Sequence, residues 1–365
     1  MIIAADTTTT EARRVMEVCN ACRYCEGICA TFQAMTGYRS FADTDLDYLA
    51  NLCHNCTACY HDCQYSPPHE FNINVPVALA DARVSSYERY AWPASLAGLF
   101  HNNGLIVTLV MSGALVLLLG LAMVFLSADV LFGIHSGPGS FYQVIGQGLM
   151  VTVAGVTFGF AVLSLCVGLV GFWRATGGGM PSPAAFIKAV GDAATLKHLD
   201  GGHGEGCSTV DDAPSNSRRV FHQLTMWGFV LCFLSTCVAA IYDNLLGLIA
   251  PYPFFSIPVL LGTVGGVGLL IGPVGLIVNK LKSDPRPQQL SHLGMDYAFL
   301  VSLFLVSLTG LVLLAFRETS FMGILLVIHL GLVLGFFVIL PYSKFVHGVY
   351  RFAALVRFAS ASQRT

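Results

Sequence analysis

Cys19-Asn-Ala-Cys22-Arg-Tyr-Cys25-Glu-Gly-Ile-Cys29 is answered, thirty-four residues later at every cysteine, by Cys53-His-Asn-Cys56-Thr-Ala-Cys59-Tyr-His-Asp-Cys63. Both stretches read C-x2-C-x2-C-x3-C, so this part of the chain is an internal duplication. The spacing suits a cubane. Three thiolates on one tight loop take three iron corners, while the fourth cysteine starts a helix and leans across to the other cluster. Cys19, Cys22, Cys25 and Cys63 are therefore expected to hold one [4Fe-4S] cluster, and Cys53, Cys56, Cys59 and Cys29 the other. Zinc knuckles use four ligands without the tripled C-x2-C-x2-C step.

Between the motifs, TFQAMTGYRSFADTDLDYLANL is helical in character. Asp43 or Thr44 is a candidate cap for a helix carrying Leu46, Leu49 and Leu52. Ala30 and Gln64 follow the fourth cysteines, where the bacterial ferredoxin pattern has proline. Both features favour a helical ferredoxin over a β-hairpin one. His54, His61 and His69 lie in or just beyond the second motif and read as surface or cluster-tuning residues.

Further out, the composition changes. Residues 1–92 carry eight of the twelve cysteines, no lysine, and eleven acidic against six basic side chains. The chain as a whole is 55% hydrophobic and only 11% charged, against about 25% charged for a soluble protein. Its mean hydropathy is +0.68. With a net charge of -2 and no Lys/Arg-rich run, a nucleic-acid binder is excluded. The first residues, MIIAADTTTTEARR, hold no apolar run, so no cleaved export signal is expected.

Six apolar segments reach the roughly 20 residues needed to cross a bilayer, near 104–127, 144–172, 221–242, 254–279, 294–316 and 321–346. The fourth is glycine-rich around Pro273, which reads as close helix packing. Lysine and arginine favour one side. Arg174, Lys188, Lys197, Arg218 and Arg219 lie in the 173–220 connection, and Lys280, Lys282 and Arg286 in the 280–292 connection. Lys344, Arg351, Arg357 and Arg364 lie at the end of the chain. The opposite connections hold only Arg317. The fold expected is all-α: a cytoplasmic two-cluster ferredoxin-like module over 1–92, a six-helix transmembrane bundle resembling a cytochrome b over 93–350 with a cytoplasmic loop at 173–220, and a cytoplasmic tail over 351–365. The bacterial inner membrane, with both termini inside, is the expected location. A short interfacial helix is expected around Phe186, Ile187 and Val190. His203 and Cys207, four apart in the same loop, read as a plain histidine and a free thiol.

An ionisable residue inside a membrane is a functional candidate by default. His222 and His347 are expected at matched depth near the cytoplasmic face, on different helices, as bis-His ligation of a b-type haem requires. His329 and His347 are eighteen apart, which on one continuous helix places both on one face, about 27 Å apart along the axis. His329 would serve a second haem or bind a quinone head group. No second histidine lies in the outer half of the third span, where Cys232, Thr236, Cys237, Tyr242 and Asp243 stand, leaving His135 or a non-histidine ligand for a second haem.

Pro341-Tyr-Ser-Lys-Phe-Val-His347 with His329, and Val220-Phe-His222 with Trp227-Gly-Phe229, resemble the gamma family of respiratory nitrate reductases. That resemblance implies that the histidines ligate b haems. The whole chain is similar to the tricarballylate-utilisation protein B family, through the paired cysteine motifs, His69-Glu-Phe-Asn-Ile-Asn74, Gly294-Met-Asp-Tyr297, Thr309-Gly310 and the Pro341–His347 run. This resemblance implies a membrane subunit that reoxidises a soluble FAD-dependent dehydrogenase and passes electrons to quinone, the dehydrogenase acting on tricarballylate, a citrate-linked compound or a corrinoid. The residues independently suggest a wire: a cluster module is joined to membrane histidines, and no G-x-G-x-x-G follows a strand to bind a dinucleotide. A membrane redox sensor would need an output domain, and a transporter would need more intramembrane charge than Asp296.

Overall fold

A computed structural model of the chain describes residues 3–202, 204–208 and 213–363; His203 lies outside the described residues. Its helices are α1 (Ile3–Cys22), α2 (Ala30–Met35), α3 (Asp43–Leu52), α4 (Ala58–His61), α5 (Val75–Arg89), α6 (Asn103–Phe125), α7 (Ala128–Phe132), α8 (Ser140–Val144), α9 (Gln147–Ala175), α10 (Pro183–Ala194), α11 (Ser217–Leu245), α12 (Ile257–Lys282), α13 (Leu293–Phe316), α14 (Met322–Ile339) and α15 (Val346–Ala361). Among the described residues the only β pairing is the isolated Cys207–Ser215 bridge. The protein is all-α.

In the cysteine module the cap of α3 differs from expectation. Ala42 precedes the helix, and the Asp45 carboxylate reaches back to accept its N–H at 3.0 Å. Leu46, Leu49 and Leu52 are buried with Val15, Met16 and Leu79 in one core joining α1, α3 and α5. The two motifs fold alike at one telling point. Arg23 and Thr57, each directly after a second cysteine, have left-handed φ of 55° and 67°. That turn reverses the chain tightly enough for three cysteines to face one side. The fourth cysteines diverge. Cys29 caps α2, whereas Cys63 follows α4 and opens no helix. Pro67 and Pro68 explain the difference, because proline lacks an N–H and disfavours helical backbone before it.

Six helices are long and apolar enough to cross a membrane: Asn103–Phe125, Gln147–Ala175, Ser217–Leu245, Ile257–Lys282, Leu290–Phe316 and Met322–Tyr342. The glycines of α12 allow a close approach. A Cβ on Gly265 would lie 2.7 Å from the Gly228 carbonyl oxygen, so α11 and α12 meet backbone to backbone.

The last span corrects the sequence reading. α14 stops at Ile339, and Leu340–Tyr342 forms a single 3-10 turn around Pro341. A separate helix, α15, then starts at Val346. His329 and His347 therefore lie on different helices, and the 27 Å spacing along one axis does not apply. α15 runs through most of the segment expected as a tail, burying Tyr350, Ala354, Leu355 and Ala359 against the module. In α10, the expected interfacial helix, Ala185 and Ala189 are buried while Ile187 and Val190 stay exposed.

One end of the bundle gathers the module and the lysine- and arginine-bearing connections, Arg317 alone lying at the other end against the Tyr252 carbonyl. The Asn74 amide donates to the Arg286 carbonyl, Arg357 to Tyr38, and Thr57 to the Ser208 carbonyl. α5 also presents Asp81 to His292 and Glu88 to His101, at 2.9 and 2.8 Å.

Candidate redox sites

Two cavities open in the module. One is lined by Cys19, Cys22, Cys25 and Cys63, with Tyr24, Gln64 and Tyr65. The other is lined by Cys29, Cys53, Cys56 and Cys59, with His54, Thr57 and His198. Phe32 lines both, so the cavities are neighbours. The structure thus brings together each set of four cysteines, with the fourth member of each set supplied by the other motif.

The thiols bear on one another. Burial pushes Cys19 up to about 12, with Cys63, Cys25 and Cys22 adding to the rise. Cys25 is likewise pushed up to about 12 by burial, then by Cys63 and Asp62. In the second set Cys59 is held well above its ordinary value by burial, then by Cys56, Cys53 and Cys29. Four thiolates crowded this way need a cationic core, which an iron–sulfur cluster provides. Among the described residues no three His, Cys, Asp or Glu side chains converge on one ion. Around a single zinc, with Zn–S bonds of about 2.3 Å, the sulfurs would draw together far more closely. The donor type and arrangement fit two cubanes. Backbone N–H groups also point at sulfur, Asn55 to Cys53 and Tyr65 to Cys63, both at 3.4 Å.

Leu196, His198, Leu199 and Cys207, from the connection between α10 and α11, pack against the second cavity. Gly202, at φ 91°, lets the loop press onto Ile28, whose carbonyl oxygen would stand 2.3 Å from any Cβ there. Cys207 is fully buried beside Cys56 with Leu196 and Leu199. His54 lines the cavity, and its Nδ1 is 2.9 Å from the Leu52 carbonyl oxygen. Burial holds His54 well below the ordinary imidazole range, so it stays neutral. His69 accepts from the Phe71 N–H at 3.1 Å and packs edge-on against Tyr65.

His222 on α11 and His347 on α15 meet. Their ring centroids are 6.2 Å apart at an interplanar angle of 80°. Two metal–nitrogen bonds of about 2 Å plus two ring radii give roughly the same separation. The His347 Nδ1 is hydrogen-bonded to the Lys344 carbonyl oxygen, the arrangement that turns the other ring nitrogen toward a metal. Burial first, then the charges of Arg351 and Lys344, hold His347 far below the ordinary value. It is neutral, as a ligand must be. The Nδ1 of His222 is buried with no hydrogen-bond partner. The donor chemistry of the pair would suit two imidazole ligands to one iron.

His329 sits apart from this pair. Its Nδ1 is 3.1 Å from the Thr309 hydroxyl, and its ring lies over Gly310, where a Cβ would come within 3.0 Å of Cε1. His135 is engaged through both nitrogens, by Gln143 at 2.8 Å and the Val130 carbonyl at 2.9 Å.

Residues 99–365 match the family model described as "Citrate utilization protein B", and residues 12–89 match the model described as its Fer4-like domain. An Escherichia coli protein described as "Citrate utilization protein B" is 48% identical over 367 residues, covering 100% of this chain and 96% of the relative. The chain belongs to the citrate utilization protein B family. No solved structure matches it.

Sequence reasoning missed the arginines that join the two halves of this family member. Arg218 donates to the Asn55 carbonyl at 2.5 Å and to that of His54 at 3.4 Å. Arg351 donates to the Cys53 carbonyl at 2.9 Å, and Arg83 to the same oxygen at 2.8 Å. Arg218 lies four residues before His222 and Arg351 four after His347, so each shares a helix face with a histidine. That spacing was the available signal. Asp296, read as the intramembrane charge, is bridged to Lys280 and, at 2.8 Å, to Lys344, a pairing that its sequence position alone did not reveal.

Proposed function

We propose that this protein takes electrons from a soluble FAD-dependent dehydrogenase and delivers them to quinone in the bacterial inner membrane. The observation that carries this reading is the tie between the sites: Arg218 and Arg351 join the second cysteine loop to the two helices that bear His222 and His347. Two [4Fe-4S] clusters on the cysteine quartets and a b-type haem on the histidine pair would supply one-electron carriers. The chain's own residues hold those positions. The quartets fix two neighbouring sites, the arginines anchor the second loop to the bundle, and the Lys344 carbonyl orients the His347 ring. The lysines on Asp296 keep its carboxylate paired where α12, α13 and the turn before α15 converge.

His329 is assigned to quinone binding or to a second haem, with Thr309 steadying its ring. The partner's substrate is a tricarboxylate. The Escherichia coli relative is described as a citrate utilization protein, and the chain resembles the tricarballylate-utilisation family. Both termini are assigned to the cytoplasm, since the module and the basic connections share one end of the bundle.

A reduced-minus-oxidised spectrum of membranes containing the protein tests the reading. A b-type band that appears on adding the reduced flavoprotein, and bleaches with a quinone analogue, is the expected result. Absence of any b-type band overturns the haem assignment and with it the route to quinone.

A further inference from the structure

The two cysteine sites differ in what surrounds them. Three guanidinium groups press on the backbone of the second loop: Arg83 and Arg351 on the Cys53 carbonyl, and Arg218 on that of Asn55. Arg83 is 5% exposed, and no carboxylate pairs with any of the three among the ion pairs of the described residues. Arg218 and Arg351 are half-buried, and cations shielded in this way without a carboxylate favour a negative partner. Four thiolates supply it, and they supply more of it when the iron core takes up an electron.

At the first site the balance is reversed. Its charged sequence neighbours are Arg23, Glu26 and Asp62; Arg23 donates to the Asn20 carbonyl from an exposed position, where water screens its charge, and Asp62 adds its charge to Cys25. Cys22 is exposed, and Tyr24 beside it is 70% exposed. Cys53 and Cys56 of the second site are buried. Burial by itself would make the second site harder to reduce, because a reduced cluster carries more negative charge. Backbone N–H groups directed at sulfur also favour the second site: Asn55 to Cys53, Ala58 to Cys56, and Thr31 and Phe32 to Cys29, against Tyr65 to Cys63 at the first. The three arginines add full positive charge on the same side.

We infer that Arg83, Arg218 and Arg351 make the Cys29–Cys53–Cys56–Cys59 site the more easily reduced of the two, so that electrons arrive at the exposed Cys19–Cys22–Cys25–Cys63 site and leave through the second. This gives the proposed electron path a direction and rests on that proposal for its donor and acceptor. The transfer moves one electron at a time between the two sites and makes or breaks no bond. The reduced flavin of the partner is the reductant and the membrane quinone the final oxidant. Arg351 and Arg218 are positioning residues as well, since each holds the second loop one helical turn from a histidine of the pair.

The test is an EPR-monitored redox titration of the full-length protein in detergent, with a water-soluble dysprosium chelate as relaxation probe. The cluster signal that the chelate relaxes belongs to the exposed site and should titrate at the lower potential; if it titrates at the higher one, the inference is overturned. Cys22→Ser should remove the chelate-sensitive signal, and Cys56→Ser the other. Arg351→Gln should lower the midpoint of the chelate-insensitive signal alone, and Arg351→Lys, which keeps the charge, should restore most of it. Equal shifts of both signals in Arg351→Gln would mean that the arginine acts on the fold and not on the second site. The titration reads both sites with or without a b-type band, so failure of the haem assignment and failure of this inference give different results.

Discussion

The proposed electron transfer rests on cysteine and histidine side chains, and their separate contributions can be tested one residue at a time. The purified protein should contain about eight irons and eight sulfides beyond any haem iron, two cubanes' worth. Cys56→Ser should lower both by about half and remove one EPR signal, because the first quartet shares no ligand with the second. Iron and sulfide near one cluster in the unsubstituted protein would contradict the assignment. His347→Ala should abolish a low-spin b-type absorbance while the protein still inserts, since His347 lies on α15, beyond the last apolar span. A spectrum unchanged by this substitution would leave His222 and His347 as packing residues. His329→Ala then distinguishes the roles left for that residue. Loss of a second haem band marks a ligand, and retained haem with slowed quinone reduction marks the quinone site.

Helix contacts decide whether those side chains meet. α11 and α12 approach so closely at Gly228 and Gly265 that no side chain fits between them. Gly265→Leu should therefore force them apart at a cost of about 1–3 kcal/mol, the usual range for overpacking. A thermal melt in detergent reads this as a lower Tm, whereas Gly113→Leu, on an open stretch of α6, should leave the Tm nearly unchanged. The break between α14 and α15 matters in another way. It frees α15 to turn onto the cysteine module, where Arg351 reaches the Cys53 carbonyl and Tyr350 stacks on Phe172 of α9. A continuous last helix would have carried His347 along the axis of α14 instead.

For the whole molecule, sidedness is the testable property. The module, the 173–220 and 280–292 connections and α15 lie at one end, while the 126–146 and 246–256 connections join each other at the opposite end through the Gly139 N–H on the Ala250 carbonyl at 2.7 Å. A reporter fused after Thr365 should be cytoplasmic, and one fused at Leu246 should be on the far side. A Thr365 fusion found outside would overturn the six-span topology and the cytoplasmic placement of the clusters together.

Much of this is legible in the residue pattern. Cysteine spacing defines a local loop, so the duplicated motif by itself announces the two cysteine quartets that line neighbouring cavities. Apolar run length responds to bilayer thickness, so six spans can be counted without knowing how they pack. Short-range chemistry also places Leu46, Leu49 and Leu52 on one buried helix face. What depends on long-range approach is not legible. The turn at Pro341, the burial of α15 against the module, and the meeting of Arg218, Arg351 and Arg83 on one small loop depend on residues as much as 319 positions apart. Their energies come from burial and from hydrogen bonds between guanidinium groups and backbone carbonyls, and neither exists until the helices are packed. The chain's residue pattern determined which groups could carry electrons; only the tertiary structure decided which of them stand next to one another.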